Sequence, residues 1–324
     1  MPILLLLSTT ATCAAWFVLS VAAFYNTRLR ISYALVTAGP LPLALSLSAV
    51  LLGAFVNTQL LVVAFGAFVA AVWMWAKPSS VQRHATPTAG SISPAEAGYL
   101  VKVVAGNVLY TNDRFAEIAA SVRVHEPDVV MMCEMTEESF AVMAPLLAPL
   151  VPLVTGATPH QVCGSVSEGC VQDVVLFVRP ELGAIPTKGV RAGTRVFPSI
   201  ILPLHGDLEL CGVHTTSPNG RNDPKEWRSQ LSAVAAVADA KSCPIVFAGD
   251  FNASWRHAPL RSSKLRTTFS FWRATWPHRF PVLELDHVLA VNASVLTVKR
   301  FVLPGSDHRG LVASVMVPPL PLGE

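Results

Sequence analysis

The stretch CPIVFAGDFN, residues 243–252, is an apolar run that ends in a carboxylate and an amide. The run is typical of a buried strand, and Asp250 and Asn252 stand at its end. Because side chains alternate along a strand, residues two positions apart lie on the same side. Asp250 could then orient a water molecule while Asn252 holds a phosphate oxygen or a metal ion. The simpler interpretation is an Asx turn after a strand.

Five other motifs repeat this arrangement of a short apolar run followed by polar residues. In chain order they are GNVL, MMCEM, CGVHTTSP, LELDHVL and GSDHRG, and their polar residues are Asn107, Glu134, His214, Asp286, His287, Asp307 and His308. Taken alone, Asn107 would be a turn residue and Glu134 an acid at a helix N-terminus. Carboxylates, amides and imidazoles at strand ends are also what metal-assisted phosphoester cleavage requires. The six motifs together therefore predict one hydrolytic site.

The chemistry of these side chains suggests their roles. Glu134 supplies a carboxylate, and hard cations such as Mg²⁺ take a few oxygen ligands while keeping several waters. Asn107 is a neutral oxygen ligand or a donor to phosphate. A histidine held by a carboxylate stays basic, so His308 can be cationic near neutral pH and stabilise a phosphorane-like charge. His214 is a second imidazole at a strand end, where a lone histidine is usually structural.

The first quarter of the chain predicts membrane spans. Of the 324 residues, 52% are hydrophobic and 14% charged, and Arg28 and Arg30 are the only charged residues through Ala76. This apolar region, residues 1–76, predicts a bundle of about three transmembrane helices, at 3–25, 38–57 and 59–76. A cleaved signal peptide is the weaker interpretation of the first run, since it lacks a basic start and more apolar runs follow. Residues 77–98, rich in Pro, Ser, Thr and Ala, predict a flexible linker.

From Tyr99 onward, short strand patterns alternate with helical ones, which predicts one α/β domain over residues 99–320. A clear helix start is Asp223–Pro224, a capping residue followed by proline at the first helical position. Without Arg28 and Arg30, the chain has 22 basic residues against 21 acidic ones. This near balance weighs against tight binding to long DNA.

Two cysteines leave the redox environment open. Cys163 and Cys170 flank the loop CGSVSEGC and could close a small disulfide, which would imply an oxidising compartment. They could equally be free thiols. Cys133, Cys211 and Cys243 lie in or beside strand patterns, where a buried thiol is the simpler interpretation.

The six motifs, in this order, resemble those of the endonuclease/exonuclease/phosphatase superfamily, over about Tyr99 to Pro318. The resemblance implies a four-layer α/β sandwich of two mixed β-sheets flanked by helices. It also implies a Mg²⁺-dependent hydrolase, with Mn²⁺ as an alternative. The segment VQDVVLFVRP departs from the family, whose members often show a Gly-rich strand ending in a Ser-Arg pair; Arg179 matches in part and Asp173 does not.

The same resemblance assigns site residues. The metal ligands it implies are Glu134, Asn107 and Asp307. It implies that Asp250 orients or deprotonates the attacking water, that Asn252 binds the scissile phosphate, and that His214 donates to a non-bridging oxygen. His308, paired with Asp286, would bind phosphate and stabilise the transition state; Asn107 would also contact substrate.

The run RATWPHRFPVLELDHVLAV, followed by GSDHRG, looks most like membrane-anchored bacterial members of this superfamily, which have several N-terminal spans. We therefore expect a multi-pass protein of the cell membrane, whose partners are the bilayer and a lipid-linked phosphate or pyrophosphate, with no protein partner. A tethered nuclease is the alternative, because the segment between Phe251 and Leu283 interleaves six Arg/Lys with aromatic residues. A degenerate domain that serves as a scaffold is the non-enzyme alternative.

The side of the membrane is open from the sequence. The positive-inside rule places Arg28, Arg30, Lys77 and Arg83 in the cytoplasm if all three runs span. A Cys163–Cys170 bond and the architecture of the family favour the outside, and we expect the catalytic domain there.

Overall fold

The computed structural model describes Phe65 and residues 98–318, apart from 154–170, 204–205, 219–222, 255–256 and 269–272. The three predicted spans (Phe65 apart), the linker up to residue 97 and the Cys163–Cys170 pair lie outside the described residues. Within the described part, none of the helices combines the length and the apolar character that a bilayer crossing needs.

The described part contains both strands and helices, as the sequence predicted, and helices alternate with strands mainly near its start. They are β1 (Tyr99–Asn107), α1 (Phe115–Arg123), β2 (Val129–Thr136), α2 (Glu137–Leu146), β3 (Val151–Leu153), β4 (Val171–Val178), β5 (Ile185–Pro186), β6 (Val190–Ala192), β7 (Arg195–Phe197), β8 (Ser199–Leu202), β9 (Leu208–His214), α3 (Asp223–Ala240), β10 (Ile245–Asp250), α4 (Ala258–Ser262), β11 (Asp286–Val291), β12 (Ser294–Val302) and β13 (Arg309–Val317). The helix α3 begins at the predicted Asp223. The helix α1 begins at Phe115, after Asn112, whose side chain makes loop contacts.

Two mixed sheets form the domain, which confirms the predicted α/β class. The first has the order β12-β13-β1-β2-β4-β3, and the second has the order β11-β10-β9-β8-β5. In each sheet one pair is parallel, β1 with β2 and β9 with β10, and the other pairs are antiparallel. A short hairpin of β6 and β7 stands apart from both.

The alternation of apolar residues explains the layers. In β1, Val103 and Ala105 belong to the core between the two sheets, whereas Val104 packs with the residues of α1 on the outer face. The second sheet packs its outer face against α3 in the same way, through residues such as Phe247 and Leu231. Strands buried on both faces have near-continuous apolar sequences, and this is why their polar ends are so visible in the sequence.

The register of the parallel pairs brings the polar strand ends together. Asn107 at the end of β1 lies opposite Cys133, the neighbour of Glu134 in β2. In the second sheet, Asp250 at the end of β10 lies between His214 of β9 and Asp286 of β11. Both sheets therefore present their polar ends at the same end of the sandwich.

Candidate active site

A hydrogen-bonded centre joins the two sheets. The Asn107 amide nitrogen donates to Glu134 Oε1 at 2.8 Å and to Asp250 Oδ2 at 3.2 Å. The Asn107 oxygen accepts from the backbone N–H of Leu109 at 2.9 Å. One buried amide thus connects a carboxylate of the first sheet to a carboxylate of the second.

A β-bulge aims Glu134 at this centre. The register of β2 against β4 shifts between Cys133 and Met135, and Glu134 has a positive φ of 57°. An extra residue of this kind bends a strand and redirects a side chain. The Glu134 side chain remains 21% exposed, and Oε2 accepts from the backbone N–H of Tyr110 at 3.1 Å.

Asp250 follows a close approach of two backbones. A Cβ on Gly249 would lie 2.2 Å from the carbonyl oxygen of Val213, so only glycine fits here. Asp250 Oδ1 accepts from the backbone N–H of Asn252 at 2.8 Å, which is the Asx turn of the simpler interpretation. The other oxygen, Oδ2, faces the centre. The side chain of Asp250 therefore both stabilises the turn and supplies the candidate catalytic carboxylate.

Asn252 closes this turn, and a hydrogen bond holds its side chain in place. It has a φ of 46° and is buried, and its amide nitrogen donates to the carbonyl of Thr215 at 3.0 Å.

His308 and Asp286 form the pair that the resemblance implied. Nδ1 of His308 lies 2.8 Å from Asp286 Oδ2, which leaves Nε2 turned towards Asp250 Oδ2 at 3.8 Å. Burial alone would lower the pKa of His308, but the charges of Asp286 and Asp250 outweigh it and raise that pKa to about 10. His308 is therefore an imidazolium at neutral pH.

The loop before His308 is fixed by glycine and asparagine. The Asn112 side chain donates to the carbonyls of Val108 and Pro304. A Cβ on Gly305, whose φ is 79°, would lie 2.1 Å from the Asn112 side-chain oxygen. Ser306 then donates to the carbonyl of Asn107 at 2.7 Å and accepts from the backbone N–H of His308.

A second carboxylate–histidine pair, which the sequence reasoning missed, lies on the opposite side of Asp250. Nδ1 of His214 contacts Asp173 Oδ1, and Arg195 donates to the other oxygen of Asp173. Nε2 of His214 lies 3.8 Å from Glu134 Oε1 and 3.9 Å from Asp250 Oδ2. Burial opposes the charge on His214, but Asp173 and Asp250 raise its pKa to about 9.

Asp173 was the position noted as departing from the family pattern. Asp173 lies in β4, where it pairs with Met135 of β2 beside the bulge, and it has a φ of 52°. Arg179, the partial match, lies at the far end of the same strand, where it contacts Pro127 and Asp128. The one available signal was the charged residue Asp173 near the start of the strand VQDVVLFV, which is apolar from Val174 onward.

Asp250 has an unusual environment for a carboxylate. Burial, helped by the charge of Asp286, raises the pKa of Asp250 to about 6, although His308 and His214 act to lower it. The group is therefore mostly ionised at pH 7 and becomes protonated just below pH 6. A buried base with a pKa near neutrality is suited to accepting a proton from water.

The residues predicted to bind a metal ion are less closely grouped than the carboxylates and imidazoles described above. Among the described residues, Asp250, Asp286 and His308 place ligand atoms within 4.8 Å of one another. His308 uses Nδ1 for Asp286 and is protonated at neutral pH, so it is a poor metal ligand and we interpret this cluster as an acid–base network.

Asp307, a predicted metal ligand, contacts other groups. Its carboxylate accepts from Trp276 Nε1 at 2.7 Å, and its carbonyl accepts from the backbone N–H of His278. In the described part of the chain no hydrogen bond joins Asp307 to Glu134 or Asn107. His287 is also separate: its Nε2 contacts the Ala253 carbonyl at 2.6 Å, and burial lowers its pKa.

The basic segment after GDFN uses several of its cations internally. Lys264 donates to the carbonyl of Asp239, and Arg266 donates to the carbonyls of Ser263 and Leu265. Arg273 lies 3.9 Å from Glu284. Trp255, Arg256, Phe269, Phe271 and Trp272 lie outside the described residues.

Replacing Asp173 by asparagine should move the alkaline limit of activity to lower pH. The variant keeps the size of the side chain but removes the charge that, with its hydrogen bond, raises the pKa of His214. If the imidazolium of His214 binds phosphate, kcat/KM should then begin to fall below the wild-type limit near pH 9. The measurement is a pH profile of kcat/KM for both proteins. An unchanged alkaline limit in a folded variant would remove Asp173 from this role.

Comparisons with known proteins identify the family of the chain. The model of the Endonuclease/Exonuclease/phosphatase family matches residues 104–308, which is more than half of the chain. No curated protein sequence matches the chain significantly.

Several solved structures are similar to the chain, and those with a TM-score of 0.50 have a similar fold. TDP2 of D. rerio in complex with a single-strand DNA product is 14% identical, with a TM-score of 0.50 over 67% of this chain and 98% of that one. Truncated TDP2 of Caenorhabditis elegans is also 14% identical, with a TM-score of 0.50 over 68% and 98%. The endonuclease/exonuclease/phosphatase of Beutenbergia cavernae DSM 12333 is 18% identical, with a TM-score of 0.49 over 69% and 73%. Because the family model spans the strand ends that carry the site, the chain belongs to the endonuclease/exonuclease/phosphatase family.

Proposed function

We propose that the chain is a membrane-anchored, metal-dependent phosphoester hydrolase that acts on a membrane-associated substrate, such as a lipid phosphate or a lipid-linked pyrophosphate. The observation that carries the hydrolase is the position of Asp250 Oδ2, which lies 3.8 Å from His308 Nε2 and 3.9 Å from His214 Nε2. A buried base between two cationic imidazoles can accept a proton from water while the imidazoles bind the anion that the water attacks.

The metal is Mg²⁺ in this proposal, with Mn²⁺ as an alternative. Glu134, Asn107 and Asp307 would hold it, since all three offer oxygen ligands, which hard cations prefer. Glu134 fits this role because its side chain is 21% exposed, whereas Asp250 is 2% exposed, so a hydrated ion can reach Glu134. Asn107 lies beside Glu134, to which its amide nitrogen donates at 2.8 Å. When bound, the ion polarises a phosphoryl oxygen.

The other residues act directly on the substrate in this proposal. Asp250 accepts the proton of the attacking water, and its pKa of about 6 leaves it mostly ionised at pH 7. His308 and His214 donate to the phosphate oxygens on which charge develops. In a buried site such donors stabilise a transition state more strongly than they would in water. Asp286 and Asp173 hold the two imidazoles in orientation, and Asn252 binds the scissile phosphate.

The membrane component rests on the sequence. The uncharged runs at 3–25, 38–57 and 59–76 support an anchor, and a linker of 77–98 would keep the domain near the bilayer. The substrate would then be a phosphate group at the membrane surface. We place the domain on the extracytoplasmic side for the reasons given by the loop cysteines and the family architecture.

A nuclease is the second candidate, supported by the basic and aromatic segment after GDFN. Three of its described cations are engaged in contacts within the domain, at Lys264, Arg266 and Arg273. This lowers the number that can grip a polynucleotide. A scaffold without activity is the least supported candidate, because a scaffold does not need a buried, charged proton network.

The test is a substrate panel for the purified full-length protein. We expect hydrolysis with Mg²⁺ or Mn²⁺, abolished by excess EDTA and restored by added metal, and fastest turnover on lipid phosphates or pyrophosphates. The panel also contains single-strand DNA, RNA and a generic phosphodiester. The matched control is Glu181→Gln, an exposed acid outside the site. Full activity in EDTA would refute the metal-dependent mechanism, and fastest turnover on nucleic acid would refute the lipid-linked substrate.

A further inference from the structure

A cavity of about 470 Å³ lies beside the candidate active site, at the edge where the two sheets separate. Its volume is within the range of about 300–1,000 Å³ found for small-molecule sites. Charged residues dominate its polar lining, and they are Arg273, Glu284, Asp286, Lys299, Arg300 and Arg309. Val288 and Leu311 supply an apolar floor.

Arg300 and Arg309 lie on the same face of the first sheet. Arg300 of β12 lies opposite Leu311, two residues along β13 from Arg309. Residues related in this way share a face of a sheet, and Leu311 belongs to the core between the sheets. Both arginine side chains therefore project from the inward face of the sheet, at the end of the sandwich.

The positive charge of this pair is not neutralised within the described part of the chain. Neither Arg300 nor Arg309 forms an ion pair there. Each guanidinium makes a hydrogen bond to a loop carbonyl, Arg300 to Ala274 and Arg309 to His278, and has further donors to offer. The two acids of the cavity have cations of their own: Asp286 pairs with His308, and Glu284 lies near Arg273.

We propose that this cavity is a second anion site beside the catalytic centre, with which it shares Asp286, and that it binds a small phosphate-type anion. Two guanidinium groups on one wall match the several oxygens of a tetrahedral phosphate, which arginine recognises through paired N–H donors. The ligand is inorganic phosphate or the phosphate of a lipid head group. The alternative is that an inward charge on β12, which is an edge strand, only prevents pairing with other chains.

The experiment measures binding without metal or turnover. Full-length protein carrying His214→Gln, His308→Gln and Asp286→Asn, which removes both active-site imidazoles and the carboxylate that His308 neutralises, is titrated calorimetrically with inorganic phosphate in EDTA. We expect this protein to bind phosphate, and the addition of Arg300→Gln to weaken binding at least about tenfold. Arg300→Lys should restore part of the affinity. Arg191→Gln, an exposed arginine on β6 outside the cavity, should change nothing.

Two results would overturn the proposal: no phosphate binding once the imidazoles are removed, or equal binding with and without Arg300→Gln. Circular dichroism establishes that each variant is folded. A parallel titration with dihexanoyl phosphatidic acid separates the sources of the ligand. Tighter binding than that of phosphate, sensitive to Arg300→Gln, identifies a head group, and equal or weaker binding identifies free phosphate. None of these results depends on the hydrolase activity, so the two proposals can fail independently.

Discussion

Asp250→Asn should lower kcat for phosphoester hydrolysis by about 10²–10⁴-fold, the range expected when a general base is lost. The amide can still accept from the backbone N–H of Asn252 through its oxygen, so the turn is kept. The variant removes the charge and the basicity, together with the acceptor for the amide of Asn107. Steady-state kinetics on the best substrate of the panel gives the ratio. A folded variant with kcat within about tenfold of wild type would exclude Asp250 as the base.

The stability of the same variant provides an independent check. Burial raises the pKa of Asp250, which means that the ionised carboxylate is held unfavourably in the folded protein. Its neutral replacement should therefore leave Tm unchanged or higher at pH 7, as seen for groups whose role is catalytic rather than structural. A large loss of Tm would mean that the fall in kcat reflects unfolding rather than the loss of a base. The matched control is Asp239→Asn, which changes an exposed aspartate beside Lys264.

Glu134→Gln should lower kcat/KM at a fixed, low Mg²⁺ concentration by on the order of 10²–10³-fold. The amide of glutamine can still accept from Asn107 or Tyr110, but it lacks the charge that attracts a cation. Raising the Mg²⁺ concentration should recover part of the activity. The measurement is a metal titration of kcat/KM for wild type and variant.

The result that would contradict this role is an identical metal titration with a lower plateau. Glu134 would then act on the substrate or on Asn107 rather than on the ion. The EDTA requirement would still hold, and the ligand set would have to be sought at Asp307.

The sequence predicted the fold and the strand-end residues because both depend on local patterns. An apolar run buried on two faces ends visibly, so Asn107, Glu134 and Asp250 could be recognised as strand ends. The pairing of Asp286 with His308 followed from the family resemblance, and the structure brings them within 2.8 Å. Their roles in turnover stay predictions.

Asp173 shows what such patterns miss. It lies inside an apolar strand, and its side chain reaches His214 only because β4 pairs with a bulged β2. Neither the bulge nor the partner strand can be read from the spacing of apolar residues, since both depend on the packing of distant segments. The same limit applies to the cavity at Arg300 and Arg309, because the pairing of β12 with β13 that brings these two residues together cannot be read from the spacing of apolar residues.

Three of the residues that meet at the site, Glu134, Asp173 and Asn252, have left-handed backbone conformations with φ between 46° and 57°. Each such conformation costs a non-glycine residue on the order of 1 kcal/mol, a cost that glycine does not bear. A library of this domain screened only for soluble expression would therefore drift towards glycine at these positions and lose its chemistry unnoticed. A search for a more stable version of the domain should keep these three residues constant while the other positions are randomised.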